Sequence, residues 1–536
     1  MAVPWERYRR YRCDATEAGL SLDVSRVRFN DDDLYRLTPA LSSALLAMDR
    51  LEAGAIANPD ERRMVGHYWL RAPELAPTLE IGHDIADAVA SIQAFARAVH
   101  DGTVAGAEGS FEHMVHVGIG GSALGPQLVC DALGGAGDRL TVHVLDNADP
   151  DGVDRLLARL AGSLGRTLVS VVSKTGWTPT TRGLLAEMQS AYEREGLPFA
   201  RHAVATTMPG SSLDEVALER GWLARFPIWE WVGGRTSVTS AVGLLPAAVQ
   251  GASIATFLEG AAAMDRLTRQ ASDPHANPAL MLAAAWHWLG SGRGDRHMVV
   301  LPYKDRLQLL PRYLQQLVME SVGKRLDRSG APVHQGLTVY GNKGSTDQHA
   351  YLQQLRDGRS DFFVVFVRVH AERAGQLLEL EPGVTLGDHL FGSLQGTRDA
   401  LFARGRDSIT IAIPAVDERS LGALLALHER AVGLYAELID VNAYHQPGVD
   451  KEAAMGTLAL QQAILRHLAS ADEPLTASEV ASAIRQPEQA SSVFELLDHL
   501  AMDARRRVCR VAGETPLDAR FHVRAAGHVR GKGPST

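Results

Sequence analysis

The most informative stretch of the sequence is a glycine-rich turn at residues 118–122 that follows an apolar run. Gly118, Gly120 and Gly121 let the backbone turn sharply and approach a ligand without a Cβ atom in the way. Where a strand passes into a helix, such a turn directs free N–H groups and the positive helix end toward an anion. Ser122 adds a hydroxyl donor. The stretch therefore predicts a phosphate-binding turn.

The same glycines also match the relaxed dinucleotide-binding pattern. Ala123 stands at the last position of that pattern, and Asp146 follows about twenty positions later, where a ribose-binding carboxylate would stand. This first motif alone does not distinguish a nicotinamide-dependent dehydrogenase from an enzyme that acts on a sugar phosphate.

A second polar turn follows the apolar run Leu168–Val172. Residues 173–181 read Ser-Lys-Thr-Gly-Trp-Thr-Pro-Thr-Thr and supply several hydroxyls and one ammonium. Such a set suits a phosphate monoester, whereas a pyrophosphate is usually held by glycine backbone. The second turn therefore favours a sugar-phosphate enzyme.

Composition narrows the function classes. The apolar content of 46% and charged content of 22% are ordinary for a globular enzyme. No apolar run approaches the length of a membrane span, and the N-terminus lacks the apolar core of a secretory signal. Three scattered cysteines, Cys13, Cys130 and Cys509, indicate a reducing compartment and argue against a disulfide framework or metal site. We expect a cytoplasmic protein that uses no metal, and its net charge of −9 disfavours nucleic-acid binding.

The elements that must position these turns form an alternating pattern. Strand-like runs at 113–118, 140–145, 168–172 and 202–206 alternate with helical segments, and a second set begins at Met298. This pattern predicts two tandem doubly wound α/β domains with parallel sheets. The expected boundaries are a mainly helical segment packed on the core at 1–95, the two domains at 96–285 and 286–455, a small module at 456–525 and a disordered tail at 526–536.

The module at 456–525 has the element order of a winged helix: three short amphipathic helices, then a strand pair at 508–511 and 520–523. DNA binding is disfavoured because residues 456–536 hold ten Lys/Arg against nine Asp/Glu. The candidate recognition helix, 489–503, carries three acidic residues and no Lys or Arg. We expect the module to serve packing or assembly.

Three further segments hold candidate catalytic side chains. A helix is predicted over Pro311–Lys324, and on it Gln316, Glu320 and Lys324 share one face. This face is either a carboxylate base flanked by a donor and a cation, or a solvated Glu–Lys ion pair. Arg235 follows two glycines and can stabilise a negative charge that develops during a reaction. A polar loop, 341–349, ends at a histidine.

Six motifs in this order resemble the phosphoglucose isomerase family over residues ~60–450: GIGGSALGP, SKTGWTPTT, WEWVGGRTS, QQLVMESVGK, GSTDQHAYLQQ and NAYHQPGV. The resemblance implies two sugar-isomerase (SIS) domains. It also implies a glycolytic and gluconeogenic aldose–ketose isomerase that interconverts glucose 6-phosphate and fructose 6-phosphate through ring opening and a cis-enediolate, without a cofactor. Rival interpretations are an isomerase of the same fold for a mannose phosphate, and a phosphosugar-sensing regulator that uses the C-terminal module.

The resemblance also implies a role for each matching residue. Glu320 would be the base, Arg235 would stabilise the enediolate, and His349 would assist ring opening from the neighbouring subunit of a homodimer. The implied substrate-binding residues are Gly121, Ser122, Ser173, Lys174, Thr175, Thr178, Gln316 and Gln446.

The chain departs from the family pattern at three places. Thr180 stands where the family often has a glutamate, and Val322 replaces an asparagine. The family has a lysine seven positions after the glutamine of its QxGV motif, but that position here is Ala453, and Lys451 comes at plus five. Either the turn is two residues shorter and Lys451 assists ring opening, or this role is altered.

Overall fold

A computed structural model describes residues 3–176, 178–447, 451–503 and 505–524. For residues 451–455 it describes the backbone only. The chain forms two compact units, residues 1–445 and 446–536. In the described part of the chain, no helix is both long and apolar enough to cross a membrane.

The first sheet of the larger unit is entirely parallel and confirms the four strands expected there. Its order across the sheet is Thr141–Leu145, His113–Val117, Thr167–Val172, Ala203–Thr207 and Ala224–Pro227. All six residues of Thr167–Val172 are buried, as expected for a strand covered by helices on both faces. Strand order reverses between His113–Val117 and Thr167–Val172, and ligands of doubly wound sheets bind at such a switch point. The two polar turns follow these two strands.

The second sheet is mixed. Its order is Arg12–Ala15, Leu20–Arg26, Ser408–Ile413, Phe362–Val369, His297–Pro302 and Val339–Tyr340. The last four strands are parallel, as the sequence predicts, whereas the hairpin at 12–26 adds antiparallel strands at one edge. This hairpin lies in the segment 1–95, which the sequence predicted to be mainly helical. Its partner strand is almost 400 residues away, so pairing depends on the tertiary fold.

Helices cover both sheets, and two of them form the centre of the core. The helix Glu418–Leu438 is buried without a break from Ser420 to Ala436, and seven consecutive residues of Pro278–Leu289 are fully buried between Ala279 and Ala285. The remaining α-helices of the larger unit are Trp5–Arg10, Asp31–Glu52, Leu79–His100, Gly121–Leu133, Pro150–Arg159, Pro179–Arg194, Ser212–Glu219, Ala241–Gln250, Ile254–Gln270, Leu310–Leu314, Leu352–Asp357 and Leu386–Ala403. Two small hairpins pair Lys324–Leu326 with Pro332–Gln335 and Glu379–Glu381 with Val384–Thr385.

The smaller unit has its own apolar core and a three-stranded antiparallel sheet. Its helices are Lys451–Ala469, Ala477–Ala483 and Ala490–Met502, and its strands are Leu475–Thr476, Val508–Val511 and Arg520–Val523. The three helices and the strand pair lie where the sequence predicts them, whereas the short third strand, Leu475–Thr476, was not predicted. The winged-helix assignment and the module's role stay predictions. The predicted disordered tail, 526–536, lies outside the described residues.

Candidate active site

The first polar turn is fixed by close backbone contacts. Gly120 has a positive φ of 60°, and the helix Gly121–Leu133 begins directly after it. A Cβ atom on Gly121 would lie 2.1 Å from the carbonyl oxygen of Gly234, so only glycine fits there. The His116 ring donates through Nε2 to the Ser122 carbonyl oxygen at 2.8 Å. The turn therefore places the start of a helix and Ser122 at the carboxyl ends of the strands.

The second polar turn collects hydroxyls at the start of the helix Pro179–Arg194. Ser173 Oγ lies 3.1 Å from Thr178 Oγ1 and accepts a hydrogen bond from the Gly176 N–H, also at 3.1 Å. Thr175 is exposed at the tip of the turn. These hydroxyls and the helix N-terminus can bind an anion. Trp177 lies outside the described residues.

Lys174 connects this second turn to the loop that carries Arg235. Its Nζ donates to the carbonyl oxygens of Glu230 at 2.6 Å and Val232 at 2.9 Å. Burial, together with the charge of Arg63, lowers the pKa of Lys174 to about 8. The ammonium thus donates to backbone oxygens beside the turn, and its role in substrate binding stays a prediction.

Glu320 lies at the end of a π-helical segment, Gln315–Glu320, that continues the helix Leu310–Leu314. The prediction of one helix through Lys324 is wrong, because that residue begins the strand Lys324–Leu326. π-Helical turns occur frequently at functional sites. The Gln316 amide faces the first polar turn, since a Cβ atom on Gly120 would lie 3.1 Å from its Nε2.

Arg235 is buried and makes three contacts in different directions. Its Nε lies 3.6 Å from Glu320 Oε2, its Nη1 donates to Ser321 Oγ at 3.0 Å, and its Nη2 donates to the His445 carbonyl oxygen at 3.0 Å. Burial lowers the pKa of this guanidinium, and the Glu320 carboxylate opposes the shift. The carboxylate is 24% exposed and the guanidinium side chain 9%, so Glu320 is open to a ligand while Arg235 is held in place.

Lys324, His445 and Ser321 complete this cluster, and the sequence analysis missed the last two. Lys324 is 4% exposed, and its Nζ donates to the carbonyl oxygens of Glu320 at 2.6 Å and His445 at 3.3 Å. This excludes the solvated ion pair as an interpretation of Lys324. His445 follows Tyr444 in the NAYHQPGV motif, which was the only sequence signal available for it.

The three remaining predicted site residues are His349, Gln446 and Lys451. His349 ends the 3₁₀ turn Thr346–His349 with its side chain exposed, and within the described ranges it has no hydrogen bond or ion pair to Glu320 or Arg235. Gln446 opens the smaller unit, and the side chain of Lys451 lies outside the description. Among the residues that the structure describes, no cluster of three or more His, Cys, Asp or Glu residues could hold a metal ion.

The fold and the site define a doubly wound α/β protein with two polar turns at the switch point of its first sheet and a carboxylate–guanidinium pair, Glu320 and Arg235, on neighbouring segments. The phosphoglucose isomerase family model matches residues 23–376, and the chain belongs to this family. A glucose-6-phosphate isomerase from Geobacter sulfurreducens is 54% identical over 524 residues, covering 97% of this chain and 99% of that protein. One from Synechococcus sp. is 53% identical, with the same coverage of each.

Two solved structures are similar as well. A glucose-6-phosphate isomerase from Chlamydia trachomatis shares the fold, with a TM-score of 0.78 and 24% identity over 93% of this chain and 95% of that one. A hypothetical protein from Thermus thermophilus is 30% identical, with a TM-score of 0.69, and the match covers 82% of this chain and 99% of that one.

Proposed function

We propose that this chain interconverts glucose 6-phosphate and fructose 6-phosphate through ring opening and a cis-enediolate. One observation carries the proposal: the partly open Glu320 carboxylate lies 3.6 Å from the buried Arg235 guanidinium, beside two turns suited to a phosphate. Relatives that are 54% and 53% identical over nearly the whole chain, and are named glucose-6-phosphate isomerases, support the same activity.

The proposed proton transfer uses Glu320 as the only base. Its carboxylate takes the proton from C2 of the open-chain aldose, the electron pair forms the C1–C2 double bond, and negative charge moves to the O1 oxygen. The same carboxyl group returns the proton to C1, and the O2 proton passes by way of solvent to O1, so that O1 becomes a hydroxyl as the C2 carbonyl forms. Aldose–ketose exchange of this kind is redox-neutral and needs no redox cofactor. Arg235 would stabilise the enediolate charge, because its guanidinium is already held by Ser321 and the His445 carbonyl and would not need to reorganise.

The phosphate is proposed to bind between the two polar turns. The N–H groups of the Gly121 region and the helix start, together with the hydroxyls of Ser122, Ser173, Thr175 and Thr178, would donate to its oxygens. Lys174 would contribute its charge from behind this turn while holding the Arg235 loop.

The remaining roles concern the sugar end and the assembly. Gln316 and Gln446 would orient the sugar hydroxyls, and Lys451 would assist ring opening. We propose a cytoplasmic homodimer in which the exposed His349 of one subunit assists ring opening of a sugar bound in the other. His349 would donate a proton to the ring oxygen as its bond to C1 breaks, and the proton of the C1 hydroxyl would leave to solvent as the C1 carbonyl forms. A Lys451→Ala variant should then slow turnover of cyclic substrate far more than turnover of the open-chain form.

A coupled assay with purified protein tests the function. The wild type should convert glucose 6-phosphate and fructose 6-phosphate in both directions, and extensive chelation should leave the rate unchanged. Glu320→Gln should lower kcat by about 10²–10⁴-fold because the general base is lost. Glu187→Gln, on the exposed face of the helix Pro179–Arg194, is the matched control and should retain wild-type kcat. No turnover by the wild type, or faster turnover of mannose 6-phosphate, would contradict the proposal.

A further inference from the structure

Lys324 forms hydrogen bonds to two main-chain carbonyl groups of the site: that of Glu320, the proposed base, and that of His445, which holds Arg235. Its Nζ donates to the carbonyl oxygen of Glu320 itself, at 2.6 Å, and to that of His445 at 3.3 Å. The His445 carbonyl also accepts Arg235 Nη2 at 3.0 Å. One backbone oxygen is therefore shared by the two buried cations of the site.

The π-helical segment explains why such a residue is needed. The last carbonyl groups of any helical segment have no partner within the helix, and a buried one must find another donor. At Glu320 that donor is a cation, which also interacts favourably with the negative end of the helix dipole. If this contact were absent, the Glu320 main chain would be free to shift relative to Arg235.

The surroundings of Lys324 also limit what else it can do. Burial, together with the charge of Arg235, lowers the pKa of Lys324 to about 7, while the Glu320 carboxylate opposes the shift. The side chain is 4% exposed and both of its hydrogen-bond acceptors are main-chain oxygens. A side chain held in this way acts on the reaction through Glu320 and Arg235 rather than by touching the sugar.

We infer that Lys324 is a positioning residue, which fixes the Glu320 carboxylate and the Arg235 guanidinium in their reactive arrangement before the sugar phosphate arrives. This inference rests on the proposed isomerase function. It goes beyond the family resemblance, which assigned no role to this lysine.

The test compares Lys324→Met, Lys324→Arg and the control Lys304→Met in the full-length protein. Lys304 also donates through Nζ to two main-chain carbonyls, those of Ala371 and Glu372, so its loss removes the same kind of contact away from Glu320. Because a misplacement of about 1 Å can cost about 10²-fold, Lys324→Met should lower kcat about 10–100-fold, with KM within about twofold of the wild type. Lys324→Arg should recover part of kcat, and Lys304→Met should keep all of it.

A second readout separates positioning from a merely structural role. The affinity for a planar, anionic mimic of the enediolate should fall in Lys324→Met by the same factor as kcat. The affinity for the corresponding sugar-alcohol phosphate should not change, because it lacks the charge that Arg235 stabilises. Lys324→Gln replaces Lys324→Met if the latter does not fold, as judged by circular dichroism and thermal unfolding.

Two results would overturn the role of Lys324. One is a wild-type kcat in a folded variant that lacks the ammonium, and the other is an equal loss of affinity for the enediolate mimic and for the sugar-alcohol phosphate. An inactive wild type would instead overturn the proposed function.

Discussion

Replacing Arg235 tests how the site stabilises negative charge. The Arg235 guanidinium lies 3.6 Å from the Glu320 carboxylate, a distance at which two unit charges attract by about 5 kcal/mol at an effective dielectric constant of about 20. During the proposed reaction the proton moves onto Glu320 and the charge moves onto the sugar oxygen. Arg235 therefore faces one negative charge throughout, and only its position changes.

The expected loss follows from how the guanidinium is held. Ser321 and the His445 carbonyl fix its Nη1 and Nη2, so it does not reorganise when the charge moves. Removing one such preorganised donor typically costs about 2.7–4 kcal/mol of transition-state stabilisation, or about 10²–10³-fold in kcat. Arg235→Met should show this loss with KM within about threefold of the wild type. Arg235→Lys keeps the charge but lacks the planar fork, so we expect an intermediate loss.

Steady-state kinetics in both directions provide the assay, and Arg406→Lys provides the matched control. Arg406 also donates to two main-chain carbonyls, those of Leu355 at 3.2 Å and Gly358 at 2.5 Å, outside the site. The control should keep wild-type kcat. A kcat of Arg235→Met within threefold of the wild type would refute the reasoning.

Three further predictions concern the first polar turn and the buried histidines. Gly121→Ala should raise the KM for sugar phosphate at least about tenfold, because the added Cβ displaces the turn. Gly135→Ala, whose Cβ would meet no atom within 4 Å, should leave the KM unchanged. Equal KM values for the two variants would contradict the proposed phosphate site. His116→Gln should raise the KM by loosening the Ser122 carbonyl, while His428→Gln, which loses a similar bond to a helix carbonyl, should not. Burial lowers the pKa of both histidines to about 4 from an ordinary 6.5, so the unfolded chain binds more protons between these pH values. The free energy of unfolding should therefore fall as pH drops from about 6.5 to 4, by up to about 3 kcal/mol per histidine, and urea midpoints that stay constant over this range would contradict the assignment.

Local sequence signals sufficed to predict the strands and the two polar turns of the first sheet. The apolar run Leu168–Val172 is itself enough to predict a strand of a parallel sheet, and the strand is buried on both faces. The glycines of 118–121 and the hydroxyls of 173–178 mark turns because their residue types meet local backbone and hydrogen-bonding needs.

Features that depend on distant partners could not be predicted in the same way. The four-residue spacing of Gln316, Glu320 and Lys324 fits an α-helix and therefore predicted that they share one face. This spacing contains no signal for the π-helical segment or for the strand that begins at Lys324. Lys174 was assigned to the phosphate because of its neighbours in sequence, while its acceptors lie more than 50 residues away. The hairpin at 12–26 likewise pairs with a strand near the other end of the larger unit.

Isotope exchange from solvent tests the central claim most directly. If Glu320 carries the proton between C1 and C2, its carboxyl proton can exchange with solvent before it is returned. With the wild type in D₂O, repeated turnover of glucose 6-phosphate should therefore introduce deuterium at C1 of fructose 6-phosphate and C2 of glucose 6-phosphate, as followed by NMR. In Glu320→Gln, turnover and exchange should both slow by about 10²–10⁴-fold, while Glu187→Gln should match the wild type. Isomerisation without any deuterium in either sugar, or exchange in Glu320→Gln at the wild-type rate, would contradict the account.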